Sequence, residues 1–566
     1  MTNHEIAQHF SLLAKLTEIH GGNSFKAKSY ANTAFAIDKL REEITGLPEE
    51  ALYKAPGIGQ SAVEKIRELL ETGQMEALTE LLAATPEGIL EMMRIKGLGP
   101  KKIAVIWKEL GVETIGELEY ACAENRLAAL KGFGPKTQET LCRQIEFYRQ
   151  NEGLHLWASV EPLAHTLLAQ LQKAFPKNQF ALTGELRRQL EIVAFIEILC
   201  DLEQDDLLRG YEHLEGVSFD TIPLNQLTVR LPNQPALRFH FASPGQFYKQ
   251  LFLTTGSEEF VAAFLEQYHL PDEPQSETEI FRENRLDYIE PALRETAGML
   301  ERAASRQLPL LIQHKDIRGI IHSHSTYSDG AHTLEEMARG ACDQGFEYLV
   351  ISDHSQAAQY AGGLSPERIR AQHQEIDALN EQLAPFKIFK SIEADILGDG
   401  SLDYNAQVLS SMDLVIASVH SNLQVNLERA MDRVLTAVRN PFTTILGHMT
   451  GRLLLSRAGY PLDHKKVIDA CAAYDVAIEI NAHPRRLDID WRWIEYALEK
   501  GVLLSINPDA HSIAGFADTY YGVMIGQKGG LTARQNLSSF SRSEFESFLL
   551  RYRAKVDQIN HAEKSL

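Results

Sequence analysis

The chain has little with which to build a disulfide frame, a membrane span or a basic coat. Its five cysteines (Cys122, Cys142, Cys200, Cys342 and Cys471) are scattered without a CxxC spacing, so they read as reduced thiols of a cytoplasmic protein rather than zinc ligands. No run approaches the ~18 apolar residues of a membrane span. The opening MTNHEIAQHF lacks the basic and apolar regions of a secretory signal. Positive charge is also short: 56 Lys and Arg against 77 Asp and Glu leave a net charge of −21, which argues against coating nucleic acid by bulk attraction. Local contacts stay open, because residues 1–150 are close to charge balance. What the chain does have is length: 566 residues, 44% of them hydrophobic, enough for several packed cores and for about three or four domains.

Residues 1–150 read as all-helical, with apolar residues at helical spacing and no alternating stretches. Three glycine turns recur there: Ala55-Pro-Gly57-Ile-Gly59, Ile95-Lys-Gly97-Leu-Gly99-Pro and Leu130-Lys-Gly132-Phe-Gly134-Pro. Each precedes an amphipathic helix, and the second and third continue into Lys101 and Lys136. Glycine permits the positive φ of a tight turn and leaves backbone N–H groups free at a helix N-terminus, where they can cradle a phosphate. The plain alternative is a connector between packed helices. Three copies favour DNA-backbone binding through Gly57, Gly59, Gly97, Gly99, Lys101, Gly132, Gly134 and Lys136. The turns resemble the helix-hairpin-helix motif, which grips phosphates without reading sequence.

Composition then shifts to mixed α/β. The stretch Ala181–Cys200, ALTGELRRQLEIVAFIEILC, together with the hairpins, resembles a family X DNA polymerase of the bacterial type. The resemblance places the nucleotide-binding turn at Gly184-Glu185, an arginine pair at Arg187 and Arg188, and two palm carboxylates at Phe195 and Glu197. A third falls at Arg238 in LRFHFASPGQF; Thr255-Gly256-Ser257 is retained. Two-metal nucleotidyl transfer needs carboxylates converging on a pair of cations. Phe195 offers no ligand, Arg238 puts a cation where a cation must bind, and Glu185 sets negative charge near the triphosphate. The expectation is a palm without polymerase activity. Lys65 matches the Schiff-base lysine of lyase domains in some relatives, against the plain reading of a solvated helix lysine.

After Pro271, Pro274, Pro291 and Pro309 the pattern becomes apolar runs alternating with helical segments, the signature of repeated βα units. Seven runs lead to metal-competent groups: His322 and His324; Asp353-His354; Glu393; His420; His448; Asn481 and His483; Asn507, Asp509 and His511. Seven strands with helical crossovers imply a closed or nearly closed parallel barrel, with chemistry at the mouth formed by strand C-termini. One buried histidine is ordinary; seven consecutive strands ending this way are not. Imidazole and carboxylate without thiolate suit Mn, Zn or Fe, and there are ligands enough for two or three ions.

The motifs HSHSTYSDG, ISDHS, IEADIL, ASVHS, LGHMTGR and PDAHS resemble the PHP (polymerase and histidinol phosphatase) domain in its form fused to family X polymerases. Carried over by position, the resemblance implies one ion on His322, His324, Glu393 and Asp509. Glu393 would bridge to a second ion on His420 and His448, and Asp329, His354 and His511 would hold a third. Asp329 has a competing reading as a helix cap. Arg452, Arg485 and Arg486 could hold substrate phosphates; His483 reads as packing or a substrate contact. The polar, helical tail after Gly530 is assigned no chemistry.

The expected architecture is therefore multidomain: a helical N-terminal domain with the first hairpin (1–75), a helical fingers-like region with two more (76–152), a degenerate nucleotidyltransferase-like palm and thumb (153–300), a linker (301–317) and a distorted (β/α)7 PHP barrel (318–566). The expected activity is metal-dependent 3′–5′ exonuclease or 3′-end processing on gapped DNA or free 3′ ends, without sequence preference, by a monomer. Alternatives are a small-molecule phosphatase, a DNA-binding scaffold, and a residual polymerase or lyase.

Overall fold

The computed structural model describes the chain except residues 41, 49–51, 54, 124–125, 131, 212–215, 223–225, 232–233 and 565–566; Lys131 of the third hairpin is thus outside the described residues. Two compact units emerge, residues 1–152 and 153–566.

The first unit is helical throughout its described residues. Its opening helix, Asn3–Ile19, starts in a capping box in which Thr2 and Glu5 satisfy each other's backbone N–H. Ile6, Phe10, Leu13, Ile66, Leu69, Ile103, Ile106, Leu118 and Ile145 are buried in a single core. Each glycine hairpin then opens a helix: Gln60–Thr72, Pro100–Leu110 and Pro135–Gln150.

In the second unit, a five-stranded palm sheet comprises β1 (Phe180–Leu182), β2 (Phe195–Cys200), β3 (Ser218–Ile222), β4 (Gln226–Arg230) and β5 (Ala236–Phe241), in the order β1-β2-β5-β4-β3. The parallel β2–β5 pairing puts Glu197 directly beside Arg238. A seven-stranded parallel sheet follows: β6 (Gly319–Ser323), β7 (Tyr348–Ile351), β8 (Lys387–Asp395), β9 (Leu414–Ser418), β10 (Ile445–Leu446), β11 (Ala477–Asn481) and β12 (Leu504–Asn507), in sequential order. Its two edges meet where His324 N–H donates to Ala510 C=O (2.9 Å) and Ala510 N–H to His322 C=O (3.2 Å). The result is the nearly closed (β/α)7 barrel implied by the alternating pattern.

Two local expectations differ from the structure. Glu393 does not follow its strand but lies within β8, whose parallel pairing with β9 continues to Asp395–Ser418. The tail is more than polar helix: Phe545, Phe548, Leu549 and Tyr552 form an apolar stripe at helical spacing and are buried. Phe545 stacks on Tyr348 with ring centroids 4.7 Å apart, so the tail packs against the barrel. Among the described residues no helix is long and apolar enough to cross a membrane.

Candidate metal centre

Strand termini deliver the site. In β6 the pairing with β7 is irregular between Ile320 and Ser323, and His322 there takes a positive φ of 65°. Such irregularities re-aim side chains beside functional sites. His322 and His324 end with ring centroids 5.3 Å apart and their side chains fully buried.

Glu393 is the hub. Its Oε1 lies 3.0 Å from His420 Nε2, 3.0 Å from His448 Nε2 and 3.4 Å from His322 Nε2. Its Oε2 lies 2.8 Å from His354 Nδ1 and 3.8 Å from His324 Nε2. Asp509 Oδ1 faces His324 Nε2 at 3.0 Å and His322 Nε2 at 3.5 Å. Asp329 Oδ1 faces His511 Nε2 at 3.3 Å and His354 Nε2 at 3.6 Å. The helix that follows Asp329 is capped instead by Thr333, which frees Asp329 from that role. Eight of the nine barrel residues singled out in the sequence thus fall into overlapping groups able to hold an ion: His324 with Asp329, His354 and His511; His322 with His324 and Asp509; His354 with Glu393 and His420. The ninth, His448, joins them through Glu393 Oε1.

These residues suit cations better than they suit one another. His322 Nε2, His324 Nδ1, His354 Nδ1, His448 Nδ1, Asp329 Oδ1 and Glu393 Oε2 are buried without a hydrogen-bond partner. An unmet buried polar atom costs about 1–3 kcal/mol, so the four that face the cluster, His322 Nε2, His354 Nδ1, Asp329 Oδ1 and Glu393 Oε2, call for a shared partner. His354 Nδ1 and Glu393 Oε2 are close but not aligned for a hydrogen bond. Electrostatics agree. Burial pushes the Glu393 carboxyl up, but the charges of His420, His322 and His354 outweigh it and leave it well below the usual carboxylate range. Burial alone would depress His420, yet Glu393 and Asp395 raise it to about 10. His324 is driven down to about 3 by burial and by His511 and His354, leaving a neutral imidazole fit to be a ligand.

Glu479 and Asp395 of a supporting ring were not identified from the sequence, and Asp353, Asn481 and Asn507, expected among the metal-competent groups, belong to this ring instead. Buried Glu479 accepts from His322 Nδ1 (2.6 Å), His448 N–H (3.0 Å), Asn481 Nδ2 (2.9 Å) and Asn507 Nδ2 (2.8 Å). It thereby turns His322 Nε2 toward Glu393. Asp395 does the same for His420 through Nδ1 at 3.1 Å. Asp353 accepts from the Ser325 N–H (2.8 Å), the Ser328 N–H (3.1 Å) and Gln372 (2.6 Å), fixing the loop that carries Asp329. The available signal was period two: Glu479 and Asn481 lie on one face of the same strand.

Of the three arginines, Arg452 is taken: it donates to Asp490 Oδ2 (2.5 Å), Arg486 C=O (2.9 Å) and Leu487 C=O. Arg485 is exposed. Arg486 sits with Nε 3.9 Å from Asp509 Oδ2. His483 Nδ1 accepts the Arg485 N–H at 3.2 Å, which favours the packing role.

The palm positions are also adjacent, but differently satisfied. Glu197 accepts from His240 Nε2 at 2.9 Å, and the Arg238 guanidinium lies 3.5 Å over the Phe195 ring. Gly184 (φ +64°) folds so closely over Glu197 that a Cβ there would meet its Oε1 at 1.9 Å. Arg187 donates to Glu277 (2.5 Å) and Arg188 to Glu295 (2.9 Å).

In the helical unit, Gly57, Gly97 and Gly132 have φ of 84°, 83° and 89°. Gly59, Gly99 and Gly134 are the N-caps, without any side-chain cap, so first-turn N–H groups stay available. Lys101 and Lys136 are exposed beside them, and Lys65 lies part-exposed on the helix Gln60–Thr72.

Known families match in the same order. Helix-hairpin-helix domain models match residues 1–75 and, as a SAM-like helix-hairpin-helix tandem, residues 89–146; the PHP domain matches residues 321–483. A probable phosphatase of Thermoanaerobacter sp. (strain X514) is 28% identical over 34% of this chain and 77% of its own length. One of Syntrophotalea carbinolica is 31% identical over 28% of this chain and 64% of its own length. The DNA polymerase/3′-5′ exonuclease PolX of Bacillus subtilis (strain 168) is 31% identical over 97% of this chain and its own full length. Hairpins, palm and PHP barrel, matched end to end with that relative, make this chain a member of the bacterial PolX family of the family X DNA polymerases.

Proposed function

We propose that the protein is a DNA-binding, metal-dependent phosphoesterase that trims DNA 3′ ends from its barrel, and that its palm no longer polymerises. The observation that carries this reading is the contrast in ligands: five imidazoles approach Glu393, with Asp329, Asp509 and His511 against the same histidines, while Phe195 and Arg238 stack on each other where a polymerase needs carboxylates.

His322, His324, Glu393 and Asp509 would hold one divalent cation, Glu393 with His420 and His448 a second, and Asp329, His354 and His511 a third, with Mn, Zn or Fe suited to these donors. Such cations supply Lewis acidity toward a water and toward phosphoester oxygens. The chain supplies the rest. Glu393 presents both oxygens to opposite sides of the pocket. Glu479 and Asp395 hold His322 and His420 by Nδ1 so that each Nε2 points inward. Arg486, beside Asp509, offers a guanidinium to a substrate phosphate. The three hairpins bind the DNA backbone through N–H groups and through Lys101 and Lys136, which suits gapped DNA or free 3′ ends of any sequence.

The test is incubation of purified protein with 3′-labelled gapped DNA and Mn, with and without dNTPs, alongside metal analysis. Release of the 3′ label from the strand in both conditions supports the reading. Extension with dNTPs would overturn the loss of polymerase activity. Hydrolysis of small phosphomonoesters with no attack on DNA would favour a metabolite phosphatase, the reading drawn from the probable phosphatases.

A further inference from the structure

Between the barrel mouth and the palm runs a strap, residues 482–492, which follows β11. Its inner part reaches the metal centre: Arg486 lies beside Asp509, and Asp488 accepts from the N–H groups of Thr450 (2.9 Å) and Gly451 (3.1 Å), just after His448. Its outer part touches the palm at one buried residue, Glu191. Trp491 Nε1 donates to Glu191 Oε2 at 2.9 Å, and Arg492 Nη1 to Glu191 Oε1 at 2.9 Å. Each carboxylate oxygen therefore holds one strap side chain. The connection continues inward without a gap. Arg492 also binds Asp490 at 3.0 Å, Asp490 binds Arg452 at 2.5 Å, and Arg452 donates to the carbonyls of Arg486 and Leu487.

Glu191 has no part in polymerase chemistry as read from the sequence. It follows the nucleotide turn Gly184-Glu185 and the arginine pair by only a few residues. Those arginines are themselves committed to Glu277 and Glu295, and Glu295 binds Lys528 of the barrel at 2.6 Å. The nucleotide end of the palm has thus become a wall against which the barrel is braced.

We propose that Glu191 is a positioning residue for DNA hydrolysis: through Trp491 and Arg492 it holds the strap so that Arg486 faces the substrate phosphate. A bidentate carboxylate fixes direction as well as distance, and misplacement of a phosphate-holding group by about 1 Å is costly far out of proportion to its size. The inference rests on the barrel being the nuclease, but its structural half does not.

Two variants test it: Glu191→Gln, which keeps size and removes charge, and Trp491→Phe, which removes the indole N–H with one of its two rings and keeps an aromatic face. Hydrogen–deuterium exchange of the full chain reads the strap amides without requiring activity. Leu487 and Ile489, whose N–H groups bond to His483 C=O (3.2 Å) and Glu479 C=O (3.1 Å), are expected to exchange roughly tenfold faster in both variants. With DNA, KM rises on the order of tenfold, while kcat on a small chromogenic phosphodiester and metal content hold. Unchanged strap exchange in both variants overturns the positioning role. So does a parallel fall in metal content and in both activities, which would mean a purely structural residue. Faster strap exchange in a protein that cuts no DNA leaves the brace standing and removes the nuclease reading instead.

Discussion

Palm and barrel each bring ionisable side chains together on neighbouring strands, yet the two clusters are in different states. In the palm, Glu197 has the His240 imidazole in hydrogen-bond geometry, and Arg238, whose Nε lacks a hydrogen bond, lies flat on the Phe195 ring. The groups close on themselves. In the barrel, five imidazoles approach Glu393 within 2.8–3.8 Å, and four atoms that face the cluster remain without a hydrogen bond. They aim at common points. The palm carboxylate is paired within the protein, whereas the barrel leaves buried imidazole and carboxylate atoms that an ion would satisfy.

The sharpest way to break this contrast is to remove the hub. Glu393→Ala takes away the carboxylate that five imidazoles approach, and DNA trimming is expected to fall on the order of a thousandfold, about 4 kcal/mol of barrier. Loss of bound metal by elemental analysis should accompany it. Trimming that survives would place the nuclease elsewhere and undo the comparison. Glu479→Gln acts one shell further out. It leaves all nine candidate ligands present but weakens the hold on His322 Nδ1, so metal affinity should drop by roughly 10–100-fold. Competition with a chelator measures it, and an unchanged affinity would show that Glu479 only fills the core.

If the palm no longer polymerises, as proposed, altering it should cost stability and not DNA trimming. Phe195→Ala removes the ring under Arg238, and a cation–π contact of this kind is worth roughly 1–2 kcal/mol. Urea unfolding should lose about that much while DNA trimming changes little. A large loss of trimming would mean that this sheet still handles substrate.

How much of this was legible beforehand depended on the kind of physics involved. The barrel could be read because parallel βα units repeat a short apolar run, and each run ended in His, Asp, Glu or Asn; His322, Glu393 and Asp509 announce themselves by residue type and place. The hairpins could be read for the same reason, since Gly57, Gly97 and Gly132 sit at positions that need positive φ. Glu479 and Asp395 were harder. Both lie within apolar strands, and a carboxylate there acquires its meaning only from an imidazole delivered by another strand, 157 and 25 residues away in sequence. Arg452 was misread in the other direction. A lone arginine near a site looks like a phosphate ligand until Asp490 and two carbonyls are found to hold it. The Glu191–Arg492 contact spans 301 residues, and nothing local marks either partner.

The seam between palm and barrel gives the finest test of the comparison. The side chain of Lys528 is fully buried there, donating to Glu295 Oε1 at 2.6 Å and Arg188 C=O at 2.9 Å, with its ammonium 4.4 Å over the Trp491 ring. Burial pulls its pKa down, Glu295 opposes this, and it stands at about 8 against an ordinary 10.5. Between those two values the unfolded chain carries more protons than the folded one, so stability rises with pH across this window and the gain is lost as pH falls through about 8. The slope has a ceiling of about 1.4 kcal/mol per pH unit. Urea unfolding of the wild type and of Lys528→Met, followed from pH 7 to pH 10, isolates it: the stability difference between them should be flat at the acid end and should move in favour of the wild type above about pH 8. Parallel pH profiles would mean that water reaches the Lys528 ammonium in the folded protein. The palm would then be a neighbour of the barrel and not its wall, and the brace through Glu191 would lose its footing.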